Sequence, residues 1–294
     1  MKRLITSFLL STATAALAHE FWLQPASFRV AVGTSVPLKL LVGANFAGET
    51  WPRPTRRVRR FVRFGPTNLA DSTDLRPALL ADSVAPALAC PTAGTHLVVL
   101  TSSPSFLELP PDQFTAYLRE EGLDFALYYR QKNQQTTTKP GREAYRRCAK
   151  TLVLATGSYA LADRVDTVYR RVLGLPLELV PEQNPYRLKP GASLTVQVLR
   201  QGQPLKGALV QVWEANAATP GPGGTPAHFA SRTNNNGRVL LRLPGSGPYL
   251  LATNFMERAP ATLVSRADWL STWATLTFGG PGTLASGGRP ASGK

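Results

Sequence analysis

The chain of 294 residues is longer than one typical domain, and it carries a net charge of +15 at pH 7. Its 25 prolines and 24 glycines separate short runs of valine, leucine, threonine and tyrosine, a composition that is typical of β-strands and turns and that indicates a β protein with few helical stretches. The two cysteines do not form the CxxC pairs of a zinc ribbon, which excludes that class of metal site.

Residues 1–18 have the pattern of a signal peptide. Lys2 and Arg3 form a positive segment, an apolar stretch follows, and small residues precede the cleavage position after Ala18. The apolar stretch is far shorter than the roughly 20 residues of a membrane span. We therefore expect the leader to be cleaved and the mature protein to be periplasmic or secreted, with no membrane insertion.

Cleavage at this position would make His19 the first residue of the mature chain. A terminal histidine offers its α-amine and its imidazole in one chelate, and tetragonal nitrogen donors suit Cu(II) and Ni(II). The alternative is that processing merely leaves a histidine there, because one chelating residue does not make a closed site.

Residues 19–173 are predicted to form an N-terminal β domain with a helical insertion. Strands are predicted over 27–32, 36–43, 57–64 and 96–101, and helices over 113–121, 124–132 and, briefly, 143–150. Two further strands, over 151–155 and 165–173, would return the chain to the sheet.

Arginines crowd the segment 53–63 and alternate there with apolar residues. Such a patch can bind nucleic acid or another polyanion by counterion release. Because an exported protein rarely meets nucleic acid, we expect no nucleic-acid partner and interpret the patch as a solvated strand face. Binding to lipopolysaccharide, cell-wall anions or phosphate is the alternative. The arginines are Arg53, Arg56, Arg57, Arg59, Arg60 and Arg63.

The cysteines, Cys90 and Cys148, both fall in this first predicted domain. In an oxidising compartment they favour one disulfide, worth about 4 kcal/mol in the chain-entropy model. The alternative is a pair of buried thiols.

Residues 174–279 are predicted to form a second β-sandwich, followed by a disordered tail over 280–294. Seven short strands with regular turns are typical of a Greek-key fold, and the segment 206–241 resembles transthyretin-like and collagen-binding-B-like modules. The predicted strands are 177–180, 193–200, 208–214, 229–232, 238–243, 249–254 and 273–278.

Several motifs spread over the mature chain resemble a secreted domain-of-unknown-function family described as the periplasmic component of cobalt/nickel ABC-type uptake. They are residues 18–25, 42–46, 114–123, 145–152, 174–178, 184–185 and 268–278. The resemblance implies an exported accessory protein that binds nickel or cobalt and passes it to a membrane permease or an outer-membrane receptor. It also implies that His19 corresponds to the family's N-terminal histidine. Phe255 stands where the family's histidine beside Met256 would be.

Only two other histidines are available as ligands. His96 begins a predicted strand, where a histidine is more often hydrogen-bonded structure, yet it is the best second ligand available. His228 follows a loop rich in proline and glycine and is expected to be exposed. The predicted metal ligands are therefore His19 and His96, with nickel or cobalt as the metal and copper as the alternative.

The acidic and aromatic candidates are weaker. Glu20 should point away from His19, because neighbours on a strand face opposite ways. Glu120 and Glu121 lack the spacing at which two carboxylates converge on a helix. Trp22, Trp269 and Trp273 are expected to be buried rather than to form a carbohydrate platform.

No catalytic motif is present in the sequence, so we predict a protein that is not an enzyme. Two alternatives to metal uptake stay open. One is a structural or adhesive β-sandwich protein of the cell envelope, and the other is a copper-dependent oxidoreductase that uses the N-terminal histidine.

Overall fold

The structure, a computed structural model, describes residues 20–52, 55–67, 69–80, 86–157, 166–215, 221 and 227–282. The predicted signal peptide, His19 and residues 283–294 of the predicted tail lie outside the described residues. The described part is mainly β, with several sheets and few helices, which confirms the predicted fold class.

Eighteen strands and three α-helices make up the described chain. The strands are β1 (Glu20–Pro25), β2 (Arg29–Ala31), β3 (Ser35–Ala44), β4 (Ala47–Thr50), β5 (Val58–Phe64), β6 (Ser72–Asp74), β7 (Ala87–Ala89), β8 (Gly94–Ser102), β9 (Ser105–Leu109), β10 (Gly141–Thr156), β11 (Leu177–Pro181), β12 (Ser193–Arg200), β13 (Gln203–Pro204), β14 (Leu209–Glu214), β15 (Ala227–Arg232), β16 (Arg238–Arg242), β17 (Tyr249–Arg258) and β18 (Trp269–Phe278). The helices are α1 (Arg76–Leu80), α2 (Pro111–Glu120) and α3 (Asp124–Lys132). Every helix of this part of the chain is too short or too polar to cross a lipid bilayer.

A ten-stranded sheet forms the middle layer, with the order β15-β14-β17-β18-β10-β8-β5-β6, and β2 and β9 also pair with β10. At its centre β10 runs parallel to β18, from the pair Glu143 and Trp269 to the pair Thr151 and Thr277. One sheet thus joins strands from both sides of the boundary predicted at residues 173 and 174. The division into two domains stays a prediction.

One face of the central sheet is covered by a four-stranded sheet of β11, β12, β13 and β16. Leucines of the central sheet, such as Leu152 and Leu276, pack there against Val196 and Leu241. Alternation along each strand supplies these apolar contacts, because every second side chain points to the same face.

The opposite face is covered by β1, β3, β4 and β7 and, further along, by α2 and α3. The hydroxyl of Thr275 donates to the carbonyl of Phe21, and that of Thr277 donates to the carbonyl of Leu23, both at 2.7 Å. These bonds fix β1 across β18, so that the first described strand lies on the last one.

The helix predicted over residues 143–150 is wrong, because this segment is the first half of β10. Residues 141–145 pair with β9 and residues 143–151 pair with β18. Strand partners on both sides override a local sequence with no strong strand preference. The strand predicted over 165–173 is also wrong within the described residues, where Val168–Arg170 forms a 3-10 turn.

The expected disulfide is not formed, since Cys90 and Cys148 are free, buried thiols. They belong to different hydrophobic clusters on the two faces of the central sheet. Burial raises the pKa of each thiol to about 11, which leaves both protonated and unreactive. The alternative of two buried thiols is therefore confirmed.

Candidate functional site

Glu20, the first described residue, has a buried side chain near the end of α2. It begins β1 and pairs with Gly43 of β3. Burial raises the pKa of the Glu20 carboxyl to about 7; a hydrogen bond from its own backbone lowers it and the charge of Glu120 raises it further. A carboxyl group with this pKa keeps part of its protons at neutral pH.

Glu121 follows α2 and lies beside Glu20. Its Oε2 accepts hydrogen bonds from Asn254 Nδ2 of β17, at 2.8 Å, and from Gln211 Nε2 of β14, at 3.2 Å. Burial first, and then the charges of Glu20 and Glu120, raise the pKa of Glu121 to about 8, although the two amide bonds lower it. No lysine or arginine among the described residues pairs with Glu20 or Glu121.

The arrangement of Glu20 and Glu121 suits a shared cation. Both carboxyl groups are desolvated and the charge of Glu20 raises the pKa of Glu121, so the two ionise together only when a positive charge stands between them. In the described part of the chain, however, no three His, Cys, Asp or Glu side chains meet in a group that could hold a metal ion. Further donors would have to come from elsewhere, and His19 is joined to Glu20 by one peptide bond.

Two tryptophans lie two residues along the same strands from Glu20 and from Gln211, which binds Glu121. Trp22 of β1 and Trp213 of β14 pack together with Leu250 and Ala252, and the ring of His228 stacks on Trp213 with ring centres 5.0 Å apart. Partial burial lowers the pKa of His228, which keeps its imidazole neutral. His228 is exposed, as predicted, and Trp22, Trp269 and Trp273 are buried, as predicted.

A further buried carboxyl group, Glu143 of β10, lies beneath α2. Its Oε1 accepts hydrogen bonds from Tyr117 Oη, at 3.3 Å, and from Ser271 Oγ, which in turn accepts from Trp273 Nε1 at 3.1 Å. Its Oε2 is buried and has no hydrogen-bond partner in the described structure. Burial raises the pKa of Glu143 to about 7.

A cavity of about 380 Å³ opens beside the carboxyl pair, between the α2–α3 turn and the turn before β14. Apolar side chains such as Leu123, Leu209 and Met256 line it, and a salt bridge between Arg232 and Asp124, 3.0 Å long, stands at its rim. Asn254 lines the cavity and also binds Glu121, so its side chain connects the two.

His96 is fully buried on β8, and both of its ring nitrogens have partners. Nε2 lies 2.8 Å from the carbonyl of Thr92, and Nδ1 lies 3.2 Å from Nη1 of Arg63. Because an arginine can only donate, Nδ1 accepts and Nε2 carries the proton. Burial and then Arg63 lower the pKa of His96, although the Thr92 bond opposes them, so the ring is neutral.

The described structure does not bring His96 to the carboxyl pair. His96 pairs with Val153, whereas Phe21, next to Glu20, binds Thr275 at the level of Ala149. Four residues of strand separate these two levels, a distance of about 13 Å. Since His19 lies outside the described residues, His19 and His96 as a ligand set stay a prediction.

Phe255 and Met256 lie on opposite faces of β17. Met256 packs against Trp269 and Trp273 on the face that α2 and α3 cover. Phe255 contacts the other cluster, and the guanidinium carbon of Arg200 stands 4.6 Å from its ring centre. Position 255 therefore points away from Glu121.

Spacing within one strand or helix carries no signal for the pair of Glu20 and Glu121. Spacing rules test whether side chains of one strand or helix converge. They exclude Glu20 as a partner of His19 and Glu121 as a partner of Glu120. The pair instead depends on how β1 lies over the central sheet and where α2 ends. A buried glutamate on a strand of otherwise apolar residues was the one usable signal.

Comparisons with known proteins identify a family and no activity. The model of DUF4198, described as a domain of unknown function, matches residues 16–257, and no curated protein matches the chain. Among solved structures the chain is similar to the three N-terminal domains of the Highly Immunogenic Outer Capsid protein of bacteriophage RB49, with 10% identity and a TM-score of 0.19. It is also similar to dimeric latent PorU of Porphyromonas gingivalis, with 9% identity and a TM-score of 0.18. Each similarity covers 88% of this chain, which spans 59% and 20% of the two other chains.

Proposed function

Because the chain belongs to the family DUF4198, whose description names no activity, we propose a function from its own residues. The mature protein is an exported, non-enzymatic accessory protein that binds nickel or cobalt for uptake. The metal is held by the amine and imidazole of His19, at the processed N-terminus, together with the carboxyl groups of Glu20 and Glu121.

One observation carries the proposal: two buried carboxyl groups, with no lysine or arginine of the described residues paired to them, lie together, and one of them, Glu20, directly follows residue 19 in the sequence. Burying a carboxylate is costly unless it is paired or binds a metal. A divalent cation would supply the missing positive charge to both Glu20 and Glu121.

The donor set suits a transition metal better than calcium or magnesium. Imidazole and amine nitrogens bind Ni(II) and Cu(II) well, and all-oxygen sites favour the harder cations. Two nitrogens and two carboxylates would fill at least four positions. His96 is not required, because both of its nitrogens already have partners inside the protein.

Calorimetry on the processed protein tests metal binding. Protein that begins at His19, verified by mass spectrometry, is titrated with Ni(II), Co(II) and Cu(II). We expect micromolar affinity for nickel or cobalt, loss of binding when one alanine is added before His19, and affinity about tenfold weaker in Glu121→Gln. The matched control is Glu108→Gln, an exposed glutamate on β9, which should bind like the wild type.

Two results would overturn the proposal. Absence of binding to all three ions would favour the structural or adhesive interpretation, and equal affinity with the added alanine would exclude the N-terminal chelate. Bound copper that is reduced and reoxidised by oxygen with turnover would instead favour the oxidoreductase.

The uptake role needs a cellular measurement. Cells that lack the protein should accumulate less radioactive nickel or cobalt at low external concentration. The wild-type gene should restore accumulation and the Glu121→Gln gene should not. Unchanged accumulation in the deletion strain would separate metal binding from transport.

A further inference from the structure

Arg147 of β10 is a buried guanidinium enclosed by aromatic rings. Its side chain is 8% exposed, and its guanidinium carbon lies 5.1 Å from the ring centre of Phe21, 5.3 Å from that of Trp51 and 5.4 Å from that of Tyr145. Aromatic faces attract a cation and hold the planar guanidinium in one orientation. The group is therefore fixed before any ligand arrives.

This guanidinium has no counter-charge among the described residues. No carboxylate there forms an ion pair with Arg147, and its Nη1 is buried without a hydrogen-bond partner. Burial lowers the pKa of Arg147; the Tyr145 phenol raises it and the charge of Arg57 lowers it further. Since arginine stays charged in proteins, the positive charge remains and lacks a partner.

A second guanidinium, that of Arg57, lies at the same corner and is exposed to solvent. Its Nη1 donates to Ser105 Oγ at 2.5 Å, and its carbonyl accepts from the backbone of Ser103 at 2.8 Å. Ser105 pairs with Tyr145 across β9 and β10, two positions from Arg147. Separate segments of the chain thus place two arginines and a hydroxyl group together.

Further positive charge lies on the segment that carries Arg57. Arg56 and Arg59 are exposed on the same segment as Arg57. Clustered charges of one sign raise the local potential and attract counter-ions. An anion bound here would relieve the repulsion between Arg57 and Arg147 and would supply the acceptors that Arg147 lacks.

We propose that Arg57 and Arg147 form a binding site for a phosphate-type oxyanion, independent of the metal site. The planar fork of a guanidinium matches a tetrahedral oxyanion through two parallel hydrogen bonds, and Ser105 Oγ is a further donor beside them. The phosphate is either a free ion or part of a lipid headgroup, since both present the same oxygens.

Calorimetry with inorganic phosphate and with sulfate at low ionic strength tests the site. We expect the wild type to bind and Arg57→Gln, a change at an exposed residue, to weaken the affinity about tenfold. Arg147→Lys, which keeps the charge and loses the fork, should weaken it as well, and circular dichroism verifies that both variants are folded. The matched control is Arg76→Gln, whose guanidinium already pairs with Asp74 at 2.7 Å and should not contribute.

Vesicles distinguish the two sources of phosphate. Binding to phosphatidic acid vesicles that free phosphate displaces and that Arg57→Gln weakens indicates a headgroup, and binding of free phosphate alone indicates a small ion. The proposal is overturned if neither form binds, if Arg57→Gln binds like the wild type, or if Arg76→Gln loses as much affinity. In the last case the loss of affinity reflects a change in general surface charge and not the loss of a specific site.

Discussion

At the scale of single residues, the pKa of Glu143 is raised because the groups that donate hydrogen bonds to it are uncharged. Tyr117 and Ser271 donate hydrogen bonds to one of its oxygens, and its other oxygen has no partner among the described residues. Neutral donors weaken the effect of burial without cancelling it, so the pKa of Glu143 rises to about 7. The folded protein therefore holds a proton here that an unfolded chain releases at lower pH.

We predict that the free energy of unfolding falls as the pH rises from about 5 to about 7 and that Glu143→Gln removes the part of this fall that Glu143 causes. Between the ordinary pKa of 4.5 and the folded value of about 7, the folded state binds the extra proton, so raising the pH favours unfolding. The loss due to Glu143 is on the order of 3 kcal/mol. Urea denaturation at several pH values measures it.

Glu20 and Glu121 shift in the same direction as Glu143, so their contribution to the pH slope should persist in the Glu143→Gln variant. Glu108→Gln is the control and should retain the full slope. An identical slope in Glu143→Gln and the wild type would contradict the prediction.

At the scale of elements, β12 and β10 show why the sequence prediction succeeded for one strand and failed for another. Strand β10 connects all three layers. Strand β12 was predicted with its observed ends, because residues 193–198 alternate strictly between polar and apolar side chains. Residues 143–150 were wrongly predicted to be helical, because the charged residues Arg146, Arg147 and Lys150 interrupt the alternation of polar and apolar side chains there. Only their partners, an aromatic box for Arg147 and Glu178 for Lys150, make those residues compatible with a buried strand.

The candidate site was less predictable than the fold. The composition and the turn residues indicated a β protein, and these are properties of local sequence. The meeting of Glu20 with Glu121 depends on contacts between elements far apart in the chain, for which one sequence carries no local signal.

We predict that Lys150→Met lowers the free energy of unfolding by about 3–5 kcal/mol. Lys150 Nζ of β10 pairs with Glu178 of β11 and also donates to the carbonyl of Leu179 at 3.1 Å, all within the buried interface of two sheets. Its removal leaves the Glu178 carboxylate buried, and the donors that then remain to it among the described residues are the backbone groups of Leu173 and Leu175. Urea denaturation measures the loss.

The double variant Lys150→Met and Glu178→Gln is the control for this ion pair. Because it removes both charges, it should be more stable than Lys150→Met alone. If the double variant instead loses as much free energy of unfolding as Lys150→Met and Glu178→Gln lose separately, added together, the ion pair is not the source of the loss.

At the scale of the whole molecule, the parallel pairing of β10 with β18 makes the central sheet depend on both halves of the chain. Residues 19–173 include β10 and lack β18. Without β18, the middle of the sheet has an open, apolar edge, which exposes backbone groups and favours aggregation.

We predict that a fragment of residues 19–173 does not fold by itself, whereas the full mature chain unfolds in one cooperative transition. Circular dichroism during urea denaturation compares the two. Mixing the fragment with residues 174–282 should restore the transition, because β18 is then available. A cooperative transition in the isolated fragment would contradict the prediction and favour two independent domains.

The hydrogen bonds from Thr275 and Thr277 to β1 also determine when β1 can reach its final position during synthesis. The strand that leaves the ribosome early must wait for a partner that is translated near the end. Until then β1 can pair with β3 but lacks the face of β18 on which it docks, and contacts between such distant segments form slowly. The central sheet therefore cannot close before the end of synthesis, and until then a chaperone or a translocation channel can engage the incomplete chain.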